Sequence, residues 1–127
     1  MARKLLFVHR HEEAEDDLRF IVALAELTSA FKIKVLVENC ELLVTAEGLS
    51  SSTPTLTDEV KLLLNYGVEI VWMKSKYYSP DLPHMDIFET QFNLTSRVLI
   101  EAGIKMVDNA YKYVAESIRD GYELIKW

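Results

Sequence analysis

Three basic side chains, His9, Arg10 and His11, follow directly on the apolar run Leu5-Leu6-Phe7-Val8. Two imidazoles and a guanidinium can hold an anion or move a proton, and imidazoles can also ligate a metal. Other groups capable of chemistry stand in the same way just past apolar runs. Asn39 and Cys40 follow Ile33–Glu38, Lys74, Ser75 and Lys76 follow Val68–Met73, and Asp108 and Asn109 follow Ile104–Val107. In open α/β sheets, ligands bind in the crevice outside the carboxyl ends of the strands. If these runs are strands of one such sheet, the scattered residues gather on one edge.

Three kinds of chemistry can be weighed for that edge. Arg10, Lys74, Lys76 and the two histidines would concentrate positive charge beside helix N-termini, which also attract anions. Lysine and arginine are equally common in solvated loops, so the basic edge is a candidate anion site and no more. For a metal, His9 and His11 project to one side only if the backbone stays extended, while Cys40 and His84 are distant in sequence. No zinc spacing is present, and no metal or cofactor is expected. For nucleophilic catalysis the weak candidate is Cys40. A helix N-terminus would lower its thiol pKa, but Glu38 and Glu41 beside it would raise it, and free cysteines are most often buried. Neither a Gly-x-Ser-x-Gly elbow nor a dinucleotide fingerprint occurs. The turn after Val8 has no glycine, which argues against a pyrophosphate held close to the backbone there.

The elements that must position these residues can be read from the apolar pattern. Lys4–His9 is a strand apolar on both faces. The acids from Glu12 to Asp17 open a helix, where the dipole favours them. Its stripe is Leu18, Ile21, Val22 and Ala25, widened by Phe20, Leu24, Leu27 and Phe31. Ile33–Glu38 is a second strand, Glu41–Glu47 a short helix, and Leu49–Thr57 a polar loop. Thr57-Asp58-Glu59 starts a helix with Val60, Leu63 and Leu64 inward, closed by Gly67. Val68–Met73 is the third strand, and Lys74–Met85, with Pro80 and Pro83, is irregular. Asp86-Ile87-Phe88-Glu89 begins a helix with Phe88, Phe92, Thr95 and Leu99 inward, ended by Gly103. Ile104–Val107 is the fourth strand. Asp108 or Asn109 caps a last helix with Ala110, Val114 and Ile118 inward, and Tyr122–Trp127 is the fifth strand. Strands alternating with helices imply right-handed crossovers and a mainly parallel sheet covered on both faces, a three-layer α/β/α sandwich formed by 1–127 as one domain.

Composition narrows the functional classes. The chain of 127 residues has a formal net charge of −6, which argues against a nucleic-acid surface. One cysteine excludes an internal disulfide and suits a reducing compartment. No apolar stretch is long enough for a membrane span or a signal-peptide core, so a cytoplasmic protein with no membrane contact is expected. Trp72, Met73, Tyr77, Tyr78 and Met85 could line an apolar pocket or a subunit contact, and the contact is favoured because the loop is long.

Three segments together resemble the DsrE-like family, the DsrE/DsrF/DsrH sulfur-relay subunits. They are Lys4–His9 with its following acids and long helix to Phe31, then Ile33 to Leu43, then Ala102–Val107 with the helix from Asn109 and the strand Tyr122–Trp127. The resemblance implies a five-stranded, mainly parallel sheet and assembly into trimers, hexamers or hetero-oligomers with sulfur-relay partner subunits. Sulfur-transferring members carry a persulfide-forming cysteine in the loop after the third strand. Here that region reads Val71-Trp72-Met73-Lys74-Ser75-Lys76-Tyr77 and has no cysteine, and Cys40 inherits no role from it. The expectation is a non-catalytic binding or assembly subunit associated with sulfur metabolism. Its ligand edge would comprise His9, Arg10, His11, Asn39, Lys74, Ser75 and Asp108. The alternatives are a sulfur-transfer or thiol-redox enzyme using Cys40, and a purely structural oligomeric scaffold.

Overall fold

The computed structural model describes residues 2–9, 15–27, 30–38, 43–45, 55–73 and 94–126. In chain order they form β1 (Arg3–His9), α1 (Glu15–Ala25), β2 (Phe31–Val37), β3 (Val44–Thr45) and β4 (Thr55–Leu56). Next come α2 (Asp58–Asn65), β5 (Glu69–Met73) and the helical residues 94–101, here α3. Last are β6 (Lys105–Val107), α4 (Ala110–Arg119) and β7 (Glu123–Lys126).

Five strands form one sheet in the order β6-β5-β2-β1-β7, and every pairing is parallel. From β1 to β2, β5 and β6 the chain steps three times in the same direction. It then returns past all of them to lay β7 beside β1. With right-handed crossovers, three steps one way put their helices on one face, and the single return puts α4 on the other. The packing agrees. Leu5, Phe7, Ile33, Val35, Val37, Ile70 and Trp72 share one core with Leu18 and Ile21 of α1, Val60 and Leu63 of α2, and Leu99 of α3. Leu6, Val8, Leu36 and Val71 point the opposite way and pack with Ala110, Tyr113 and Val114 of α4. The result is an α/β fold with helices on both faces of a parallel sheet.

Local chemistry sets the element ends. Thr57 caps α2, its hydroxyl accepting from the Val60 amide at 3.2 Å, and Asn109, not Asp108, caps α4 by accepting from the Lys112 amide at 3.1 Å. Gly67, Gly103 and Gly121 have φ of 80°, 83° and 95°, the left-handed region that each short turn into a strand requires.

Several expectations need correction. The first helix ends at Ala25 rather than running to Phe31, which instead opens β2. Phe20 and Leu27 are more than half exposed, so the stripe of α1 is narrower than its composition suggests. Of the expected short helix over Glu41–Glu47, Val44-Thr45 are a strand, paired antiparallel with Thr55-Leu56 from the expected loop. Two adjacent β-branched residues favour that pairing over a helix too short to sustain itself. The Thr57 amide closes the pair onto the Leu43 carbonyl at 3.1 Å. Ile118 is half exposed, and the deeply buried residue of that turn is Ser117. Phe88 and Phe92 lie outside the described residues.

Phe7 is fully buried at the centre of the larger core, whereas Leu27 is 56% exposed. Phe7→Ala should therefore cost about 3–5 kcal/mol in urea denaturation, and Leu27→Ser should stay within about 0.5 kcal/mol of wild type.

Candidate functional site

At the carboxyl end of the sheet, β1, β2 and β5 finish side by side. His9 pairs with Val37, and Val37 with Trp72. Arg10, His11, Asn39, Cys40, Lys74, Ser75, Lys76 and His84 lie outside the described residues, as does the side chain of His9. Asp108 is exposed between β6 and α4. Trp72 is only 1% exposed and belongs to the core on the three-helix face, so it cannot line the pocket or subunit contact expected of it. Its neighbour Met73 points the other way, since successive strand residues alternate between faces.

Met73 there helps to line an apolar groove of about 240 Å³ between α4 and the strands. Val8 and Leu36 form its floor, Tyr111, Val114 and Ile118 of α4 its wall, and Glu38 contributes an acidic side chain. Tyr111 is 79% exposed and Ile118 50%. An open groove of this kind can accept an apolar side chain or a small apolar group. Its described lining holds no nucleophile paired with a base.

The opposite end of the same face is polar. Along β2 the residues Lys32, Lys34 and Leu36 share this face, with Glu38 just past the strand, and along β1 so do Lys4, Leu6 and Val8. Lys4 pairs directly with Lys32, and Lys34 lies between Leu6 and Glu69. The Lys34 ammonium lies 4.4 Å from the Tyr122 ring centre and 5.4 Å from that of Tyr113, both within cation–π reach. It is also 3.5 Å from Glu69 Oε2 and donates to Ser117 Oγ at 3.5 Å. Tyr113 donates its phenolic proton to Glu69 Oε2 at 2.7 Å, and Ser117 donates to the Tyr113 carbonyl at 2.9 Å. A lysine on a sheet face beneath a helix would be costly without partners; here rings, carboxylate and hydroxyl together supply them.

Two phenols are shifted by this setting. Burial above all, then the hydrogen bond to Glu69 and its charge, hold Tyr113 far above the ordinary tyrosine range. Tyr122 is raised by burial first, then by the charges of Glu69 and Asp120. Both phenols therefore remain neutral where ordinary tyrosines ionise.

None of Lys4, Lys32, Lys34, Glu69, Tyr113, Ser117 and Tyr122 was among the expected site residues. The signal was in the sequence: Phe31-Lys32-Ile33-Lys34-Val35 alternates, a pattern hidden when Ile33–Glu38 is read as an apolar run. Among the described residues, no three or more His, Cys, Asp or Glu side chains are grouped to hold a metal ion, and no helix is long and apolar enough to cross a membrane. Comparison of the chain with family models, with curated proteins and with solved structures returns no match.

The raised Tyr113 gives stability a definite sign with pH. Above about pH 10 the unfolded phenol loses its proton while the folded one keeps it, so the folded state binds more protons and stability falls as pH rises. The contribution is complete below the unfolded pKa and declines steadily above it. Denaturant midpoints measured from pH 9 to 11.5 should fall, and Tyr113→Phe should flatten that slope. An equally steep slope in the variant would show that Tyr113 is not the group responsible.

Proposed function

We propose that this chain is a DsrE-like protein associated with sulfur metabolism, acting as a non-catalytic binding or assembly subunit. The observation that carries the reading is the half-open face beside α4. Among the described residues one helix covers that side of a five-stranded parallel sheet, and an apolar groove opens at the carboxyl strand ends beneath the exposed Tyr111 and Ile118. An exposed aromatic and an exposed isoleucine bordering an apolar cleft have the chemistry of an interface core, where aromatic residues are enriched. The all-parallel sheet of five strands supports the resemblance, and the missing cysteine after β5 favours binding over sulfur transfer. Assembly into a homo-oligomer, a trimer or hexamer, follows from the same resemblance. A small anion would meet the basic residues His9, which ends β1, and Arg10 and Lys74, which follow β1 and β5 in sequence.

Light scattering on a sizing column distinguishes assembly from a single 14.6 kDa chain. Wild type should elute at three or six times that mass, and the double variant Tyr111→Glu, Ile118→Glu should fall to the monomer. A monomeric wild type sinks the assembly reading. Intact mass after treatment with a persulfide donor should show no added sulfur. A gain of one sulfur, abolished by Cys40→Ser, would replace the binding reading with the thiol enzyme.

A further inference from the structure

The amino-end pocket contains a charge arrangement that the fold does not require. It has a volume of about 570 Å³ and is lined by Lys4, Lys32, Lys34, Glu69, Asp120 and Tyr122. Lys4 and Lys32 occupy directly paired positions on adjacent parallel strands, on one face. Strands lie about 4.8 Å apart, so two ammonium stems start side by side, and like charges set opposite one another are destabilising. This occurs in a chain whose net charge is −6 and whose carboxylates could have occupied either position.

The nearby acids do not relieve the pair. Glu69 is engaged by Lys34 at 3.5 Å and by the Tyr113 hydroxyl at 2.7 Å. Asp120 Oδ1 sits 3.2 Å from Arg119 Nε in an exposed pair, and Lys4 donates to the Asp120 backbone carbonyl at 2.9 Å rather than to its side chain. Among the described residues, no carboxylate faces Lys32 within ion-pair distance.

Two of the three lysines are also held in place. The Lys4 stem lies against the turn at Gly121, where a Cβ would stand 3.8 Å from its Cδ, and its ammonium sits 5.5 Å from the Tyr122 ring centre. Lys34 is fixed by the same ring and by Glu69. Ordering a lysine costs side-chain entropy, and that cost is met here before any ligand arrives. Lys4 retains donors beyond its single bond to Asp120, since an ammonium has three.

We propose that this pocket binds a small tetrahedral oxyanion of the phosphate or sulfate class, clamped between Lys4 and Lys32. A dianion there turns the repulsive pair into two charge-assisted contacts, with the ordered Lys34 adding field from behind. The volume exceeds that of the ion and leaves space for the remainder of a molecule carrying it. The site lies at the opposite end of the strands from His9 and Lys74, and it stands whether or not the chain is a sulfur-relay subunit.

Backbone amide shifts in a titration with inorganic phosphate, and separately with sulfate, against chloride at matched ionic strength, test the assignment. The expected result is saturable movement of the amides of Lys4, Lys32, Lys34 and Tyr122, with those of residues 9–11 and 74–76 unmoved by the same event. Lys32→Gln should weaken the apparent Kd about tenfold or more, the loss expected for one charge-assisted contact. In chloride alone, the same variant should keep or raise the wild-type Tm, because it removes the repulsion. Lys4→Gln provides the second case and should weaken binding likewise. Absence of saturable shifts in wild type, shifts confined to residues 9–11 and 74–76, or unchanged affinity in both variants would each overturn the assignment. The carboxyl-edge anion reading would fail separately, through Lys74→Gln having no effect on thiosulfate or sulfite binding.

Discussion

The constraint on which the rest depends is the single return crossover. Three steps in one direction build β1, β2, β5 and β6 and leave α1, α2 and α3 on one face, so that face gains a continuous apolar core. The other face receives only α4 among the described elements. A helix of 10 residues is about 15 Å long, whereas five strands at about 4.8 Å spacing, each several residues long, present a larger area. Among the described elements, α4 does not cover it all. The composition of that face along the described strands divides accordingly. Where α4 lies, the strands offer Leu6, Val8, Leu36 and Val71; where it does not, they offer Lys4, Lys32 and Glu69.

Lys34 and Ser117 stand at the boundary between the two regimes. Lys34 shares its strand with Leu36 but sits at the margin of the helix, and Ser117 is the buried residue facing it from α4. Serine there, in a position where a helix stripe would ordinarily be apolar, gives the ammonium a hydroxyl acceptor. It returns its own proton to the Tyr113 carbonyl, a back-bond to the residue four positions earlier. Tyr113 then reaches Glu69 with its hydroxyl and Lys34 with its ring, so one side chain joins helix and sheet through both of its faces. The network converts what would be an uncompensated charge under a helix into a cross-link.

The sequence was legible wherever one residue type determines one local geometry. Gly67 and Gly103 mark their turns by conformational need and Thr57 marks its cap by the bond its hydroxyl accepts, each where the pattern placed it, and Asn109 is one of the two caps the pattern allowed for α4. It was less legible where the decisive partner is remote. Val44-Thr45 became a strand because Thr55-Leu56 lies beside it, a pairing no local window contains. Ile118 was read as inward from helical spacing, yet α4 crosses the sheet at a position that buries Ser117 instead. The expected site drew on residues after strands because that is where α/β proteins bind ligands. The lysines of the amino end were passed over for the same reason: they sit within strands, where lysine reads as a solvated edge.

That distinction separates the two ends of the α4 face. Its carboxyl end carries an apolar groove, and its amino end is charged, with Lys4 and Lys34 ordered around Tyr122. The same helix borders both regions. Ala110, Tyr111, Val114 and Ile118 of α4 border the groove, while Tyr113 and Ser117 reach the lysine cluster. Tyr113 and Ser117 of α4 contact Glu69 and Lys34, while the ring beside Lys4 is that of Tyr122, in the turn that leads from α4 into β7. The helix that walls the apolar groove is thus also the one that gives Lys34 its hydroxyl partner and Glu69 its phenol.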